Sequence, residues 1–275
     1  VRIDPMIHAV LEGGGAAVGI SDLMNVFGGL RFYTHALAEG LKPILGCDLK
    51  VINSKDLNKP FRLGVLCMNH EGYHSLSVLL TKAFLTNNDA ARGLVDPKWF
   101  DDGGSEGLIA LSGAAQGELG SLLLGKKWSL AHEAAERFKA QFPGRFYVEL
   151  QRAGRPTDEL ATARLANFAV EEQLPVVATH PIQFLKPEDF EAHEVRCSIA
   201  EGYTLQDPRR VKRYTPEQYL KSEAEMCELF ADIPVAIENT VEIAKRCNLD
   251  GVLSKPQLPL FPTPDGMSLD DYIDQ

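Results

Sequence analysis

The stretch His70-Glu71-Gly72-Tyr73-His74 fits H-E-x-x-H, in which two imidazoles one helical turn apart hold zinc while the glutamate serves as base. That chemistry needs the middle of a long helix. Here an apolar run (61–68) ends just before it, Asn69 is a natural helix cap, and Gly72 lies between the histidines. No third ligand follows at a useful distance, so a helix beginning at the surface is the favoured explanation. Asp22 and Asp48 each close an apolar run. Two carboxylates at a strand rim could hold a divalent cation, but without imidazole they suit zinc or manganese poorly, and capping or ion pairing is favoured. His180 and His193 are further candidate ligands, each more ordinarily a satisfied histidine. The segment Ala110-Leu111-Ser112-Gly113-Ala114 lacks the first glycine of G-x-S-x-G, so no nucleophile elbow is supported. Glycines 13–15 precede a strand-like run instead of following one, which fits a helix C-cap rather than a phosphate cradle.

Positioning these side chains falls to alternating elements. Strand-like runs lie at 16–22, 42–51, 61–68, 107–113, 145–151 and 175–184. Helical stretches lie between and after them, at about 26–40, 72–86, 129–142, 157–174 and 187–201. Strand, helix, strand, helix predicts a parallel α/β architecture, and near-continuous apolar strands suit a sheet covered on both faces or a barrel wall, about six such units fitting a barrel better than an open sheet. In such barrels chemistry gathers at the C-terminal rim of the strands, which directs attention to Asp22, Asp48, Arg62, Ala114 and residues 179–183. A second zone follows. A helix is expected at 215–233, with Thr215 as N-cap and Pro216 as first helical residue, and another at 234–248, opened by Pro234. Four prolines and a glycine at 255–266 predict an extended connector, with a domain boundary near residue 250.

With 275 residues, 45% hydrophobic and 24% charged, the chain can bury a sizeable core. A net charge of −10 argues against a nucleic-acid-binding surface, which needs clustered lysine and arginine. The one dense basic run, residues 207–214, is expected to be a solvated loop. Five scattered cysteines without C-x-x-C suggest reduced, mostly buried thiols and a cytoplasmic location. No apolar run reaches membrane-spanning length and no signal peptide is visible. The start at Val1 and the ending in Ser-Leu-Asp-Asp-Tyr-Ile-Asp-Gln predict a piece of a longer chain.

Residues 19–49 (GISDLMNVFGGLRFYTHALAEGLKPILGCDL) resemble the PHP (polymerase and histidinol phosphatase) domain of bacterial DNA polymerase III alpha subunits, in their proteobacterial form. The similarity continues through 70–84, 107–120, 174–179, 190–208, 214–248 and 258–273, the last three stretches being long and specific. It implies a distorted (β/α)7 TIM-like barrel over 1–250, followed by helices and a connector (251–275) toward a polymerase palm. Metal-binding members hold up to three ions at the C-terminal rim and act as phosphoesterases, some as exonucleases. Their first ligands, an H-x-H, would precede this chain.

Carried over position by position, the resemblance gives a degenerate metal site. In Ser21-Asp22-Leu23-Met24-Asn25, Leu23 stands where the family has histidine. Asp48 replaces a glutamate, Arg62 a histidine, Ala114 a cysteine or histidine, Pro181 an aspartate and Gln183 a histidine. Leucine and alanine offer no lone pair, proline no side-chain donor, and arginine would place a permanent positive charge where a cation should sit. Five of these six positions therefore cannot serve as conventional ligands. The implied chain is part of a DNA-directed DNA polymerase (a nucleotidyltransferase of DNA replication) but is itself inactive and needs no cofactor, Mg2+ belonging to the polymerase domain. Its implied role is a scaffold that supports the palm and thumb, docks the proofreading exonuclease (epsilon) subunit, and meets DNA and other replisome subunits through the parent chain. A residual metal-dependent phosphoesterase, using Asp48 and His180, is the alternative. An ion pair between Arg62 and Asp22 or Asp48 is expected to fill the vacated site.

Overall fold

Short β-branched and leucine-rich runs form strands here, and amphipathic stretches between them form the helices that cover those strands. The computed structural model describes residues 1–86, 93–250 and 262–274. After α1 (Ile3–Glu12), six strands lie in chain order in one curled sheet: β1 (Ala17–Leu23), β2 (Lys42–Val51), β3 (Phe61–Cys67), β4 (Leu108–Leu111), β5 (Phe146–Gln151) and β6 (Val176–Thr179). Between them run α2 (Gly29–Ala38), α3 (His70–Thr86), α4 (Glu118–Leu124), α5 (Trp128–Gln141) and α6 (Asp158–Glu171). Helices α7 (Phe190–Glu201), α8 (Glu223–Leu229), α9 (Pro234–Arg246) and α10 (Leu269–Ile273) follow β6. The described residues thus supply six strands of a distorted TIM-like barrel wall.

The purely parallel order expected from the alternation needs correction. β1–β2, β4–β5 and β5–β6 are parallel, but β3 runs against both of its neighbours. The cause is the connection from β2. Nine residues (52–60) are too few for a helical crossover. Asn53 and Asp56 instead accept hydrogen bonds from the backbone N–H groups of Lys55 and Asn58, each at 3.1 Å, folding a tight return. One rim of the sheet therefore collects the C-terminal ends of five strands together with the N-terminal end of β3.

The two faces of the sheet divide the core. Leu49, Val65, Ala110, Val148 and Leu150 face the helices in the main cluster, with Leu76, Leu123, Phe142 and Leu165. On the concave side, Ile44, Ile109, Leu111, Tyr147 and Val177 pack with Ile243 and Cys247 of and after α9, which plugs the end of the barrel opposite the rim. Burial of these side chains, at about 1.5–3 kcal/mol each, is what closes the fold. Tyr33 donates a hydrogen bond to the Leu249 carbonyl at 3.0 Å, tying the stretch after α9 to α2. All five cysteines are free thiols; Cys47, Cys67 and Cys247 are buried.

Residues 215–222 do not begin a helix, contrary to the Thr215–Pro216 signal. Thr215 donates its hydroxyl proton to the Ala153 carbonyl, and the Gln218 side-chain amide donates to the Pro181 carbonyl at 2.9 Å. Tyr219 bridges to Phe184. These tertiary partners outcompete a local helix, and α8 starts only after Ser222, in a capping box with Glu225. The short α4 was not anticipated, because its seven residues lie between glycines. The basic run 207–214 is not wholly solvated either: Arg210 is buried in an ion pair with Glu194 at 2.8 Å. Of the connector, 255–261 lie outside the described residues; a 3-10 turn (Pro264–Gly266) and α10 follow them.

Candidate functional site at the strand rim

Alternation along each strand decides which rim side chains can meet. On β2 the odd residues Cys47, Leu49 and Val51 enter the helix-facing core, so Asp48 points to the concave side. On β5 Val148 and Leu150 do the same, which turns Glu149 and Gln151 inward. Arg62, the second residue of β3, lies opposite Lys50, and Asp48 lies opposite Gly64. Because β3 is reversed, its first residues reach the same rim as the last residues of β2. A glycine at 64 leaves room above Asp48: a Cβ there would sit 3.7 Å from Asp48 Oδ1.

Asp48 and Arg62 face each other across this rim. Arg62 Nη1 lies 4.0 Å from Asp48 Oδ2, beyond hydrogen-bond reach but close enough for charge attraction. That Nη1 is enclosed without any hydrogen-bond partner. Ser21 donates to Asp48 Oδ1 at 2.9 Å. Burial raises the Asp48 carboxyl above its usual range, against the lowering effects of the Ser21 hydrogen bond and the Arg62 charge, and the Asp22 charge raises it further. Although 46% of the side chain is reachable by solvent, the group sits in a concavity whose protein walls displace much of its water shell.

Glu149 is the rim residue that sequence inspection passed over. It is buried, and three donors hold it: the Gly113 N–H at 3.0 Å, the Gln151 amide at 2.9 Å and the Thr179 hydroxyl. Ser112 Oγ accepts the backbone N–H of Glu149 at 2.9 Å. One carboxylate thus stitches the loop after β4 to β5 and β6. Its pKa is raised, first by burial and also by the Asp48 charge, while its hydrogen bonds pull the other way. The available signal was an acid within the otherwise apolar run Phe146–Leu150.

The other expected positions fare differently. Asp22 faces outward, toward α1 and α2: a Cβ on Gly28 would lie 3.4 Å from Asp22 Oδ2 and 3.7 Å from Ile3 Cδ1. The pairing expected of Arg62 is therefore with Asp48, not with Asp22. Leu23 turns the other way and is 40% exposed beside Phe27 and Lys50. Ala114 is buried in a left-handed conformation (φ 46°) at the start of a 3-10 turn. The turn passes so close to β3 that a Cβ on Gly113 would sit 2.2 Å from the Arg62 carbonyl oxygen. Pro181 gives its carbonyl to the Gln218 amide at 2.9 Å, and the Gln183 N–H donates to the Gln218 carbonyl at 2.8 Å. These two positions are used in stitching the chain after β6, with no side-chain donor aimed at the rim from Pro181.

His180 donates from Nε2 to the Glu217 carbonyl at 2.7 Å, which leaves Nδ1 as an acceptor, enclosed and unpartnered. Burial lowers its pKa and favours the neutral ring. His193 packs edge-on against Tyr214 at 4.6 Å and approaches Cys197 Sγ at 3.5 Å. His70, Glu71 and His74 lie exposed on the first turns of α3, at the opposite end of the sheet from Asp48. Asn69 caps that helix by accepting the Gly72 N–H at 3.0 Å, and a Cβ on Gly72 would meet the Gly107 oxygen at 2.0 Å. Gly72 is thus required by a close crossing, which explains the spacing of the motif without zinc. Among the described residues no three His, Cys, Asp or Glu side chains gather as a metal site.

The chain that folds into this curled α/β sheet matches a known family. The PHP domain model matches residues 1–153. The chain belongs to the PHP domain family. It is also similar to proteins named DNA polymerase III subunit alpha. That of Neisseria meningitidis serogroup B is 47% identical over 275 residues, 99% of this chain and 24% of the relative. Those of Pseudomonas aeruginosa and Escherichia coli K12 are 43% and 42% identical, covering 99% and 98% of this chain. This PHP chain spans about a quarter of the length of the curated relatives it matches. Its rim does not fit the family's metal cluster. A guanidinium stands over Asp48, and among the described residues no three His, Cys, Asp or Glu side chains gather beside it. No helix among the described residues is long and apolar enough to cross a membrane.

Proposed function

We propose that this PHP chain is a scaffold within the alpha subunit of a replicative DNA polymerase III, its metal site replaced by an ion pair. Arg62 lying over Asp48 is the observation that carries this reading. A fixed positive charge beside a single carboxylate disfavours a divalent cation there, and metal-dependent phosphoester hydrolysis needs that cation to generate hydroxide and polarise phosphate. Nucleotidyl transfer, with its Mg2+, then belongs to the polymerase domain of the longer cytoplasmic chain. Residues 1–250 form the scaffold, and those beyond lead toward the palm and thumb. The scaffold docks the separate proofreading exonuclease subunit, and through the parent it joins DNA and the rest of the replisome.

The test uses the full-length subunit purified without chelators. Metal quantification by plasma mass spectrometry should find no stoichiometric zinc or manganese attributable to the PHP rim, and the proofreading subunit should bind in the micromolar range or tighter. Bound metal together with chelator-sensitive release of phosphate from ester substrates would refute the ion-pair reading. One observation favours that second reading, a residual phosphoesterase: the neutral His180, with Nε2 committed to a carbonyl and Nδ1 unpartnered, has the arrangement of a metal-ligating imidazole. His180→Ala distinguishes the two, since only the phosphoesterase would lose activity.

A further inference from the structure

The stretch from α7 to α8 is held differently from the rest of the molecule. Between Phe184 and Phe230 no hydrophobic side chain is buried; the buried ones are Glu194, Ser198, Arg210 and Gln218, all polar. Residues 203–221 also form no helix or strand beyond the single Tyr219–Phe184 bridge. Such a segment stays ordered through the directed bonds that tie it down, because it adds no apolar burial of its own. Segments poor in buried apolar contacts open at a lower free energy than the core they lie on.

Those bonds gather at two places. On the outer face, α7 ends at Gly202, whose φ of 73° turns the chain back along the helix. Arg210 then reaches Glu194 at 2.8 Å, with side chains only 3% and 7% exposed, and its Nη2 also donates to the Glu194 carbonyl at 3.3 Å. Arg210 Nε and Nη1 and Glu194 Oε1 have no hydrogen-bond partner among the described residues. Each charge therefore leans on the other, and removing either would strand its partner in the interior. At the rim, Thr215 donates to the Ala153 carbonyl, and Gln218 bonds to Pro181 and Gln183. The Glu217 carbonyl accepts the His180 Nε2 proton at 2.7 Å. Tyr214, between the two anchorages, packs edge-on against His193 of α7 at 4.6 Å.

We infer that residues 203–221 form a strap that opens as one unit, with the Arg210–Glu194 pair as its clasp, and that opening it uncovers His180 at the rim. A contact on the outer face of α7 thereby governs access to an imidazole at the mouth of the sheet, whether or not that mouth binds metal. Hydrogen exchange and diethyl pyrocarbonate labelling of the full-length subunit, both read by mass spectrometry, test it. Arg210→Met leaves the Glu194 carboxylate unpaired and should raise exchange across 203–221 by about tenfold or more as one block, with labelling of His180 rising in step. Glu194→Gln, which keeps the volume, should release the same block to a smaller extent, and it carries the test if Arg210→Met does not fold. His70 and His74, exposed at the opposite end of the sheet, should label equally in all three proteins. A rise confined to 207–213, with 215–221 and His180 as protected as before, overturns the strap, because its two ends would then open separately. A rise that extends equally through β4–β6 overturns it as well, since the segment would have no opening of its own. Unchanged exchange in both variants removes the pair as the clasp.

Discussion

The concave side of the sheet holds two layers of opposite character. At the end plugged by α9, Ile44, Ile109, Leu111, Tyr147 and Val177 close against Ile243 and Cys247. At the rim, Asp48, Arg62, Glu149 and Thr179 occupy the same side of the same strands. The lower layer is held by dispersion and water exclusion, which need close fit but no particular partner. The upper layer is held by directed bonds and charge, so its stability depends on which groups are ionised. Identical backbone geometry thus supports one region that tolerates no loss of volume and one that responds to protons.

The largest expected effect breaks the lower layer. Ile109 is fully buried, and Ile109→Ala should cost about 2–5 kcal/mol in urea unfolding. A cost below about 1 kcal/mol would mean that this layer can collapse around a void.

At the rim the signal is a pH dependence. The folded pKa values of Glu149 and Asp48 are both raised. The folded state therefore holds these protons more tightly than the unfolded chain. That contribution is fully present below the ordinary carboxylate range and is lost as pH rises through the raised values. Glu149→Gln removes one such group. It should flatten the fall in stability that sets in as pH rises above the ordinary carboxylate range. Parallel curves for the two proteins would show that Glu149 titrates normally.

A smaller change is expected from Arg62→Gln. With the pair partly exposed and 4.0 Å apart, the loss should stay below about 1 kcal/mol. The sharper readout is the Asp48 carboxyl, whose NMR titration should move to higher pH once the guanidinium is gone; a downward move would contradict the pairing.

The smallest effect belongs to the zinc-like motif. Replacing His70 and His74 together by alanine should change stability by no more than about 0.5 kcal/mol and leave metal content as it was.

Much of this division was legible in the sequence. The six apolar runs mark the six strands, and the ends of five of those strands mark the rim. The resemblance over 19–49 correctly points to the PHP family, and Asp48 and Arg62 do meet. The reversal of β3 was not legible from alternation alone, since it follows from loop length and two Asx turns. Asp22 and Leu23 exchange their expected prominence because a single step along a strand changes the face. Glu149 escaped notice because it belongs to no motif; its importance comes from donors on three separate segments. The helix expected at 215–233 failed where Thr215, Gln218 and Tyr219 found partners far away in the chain.

If the rim is the replaced metal site proposed above, the Arg62–Asp48 pair makes a return to metal binding hard. Exchanging Arg62 for histidine would leave Asp48 without its counter-charge, while Leu23, Ala114 and Pro181 would still supply no donor atom. Each backward step would thus lose an attraction before any cation could repay it, and only several coordinated substitutions would reach the other side. On that reading the rim would behave as a ratchet: one arginine, once seated, would separate a structural domain from an enzymatic one by a valley that single mutations do not cross.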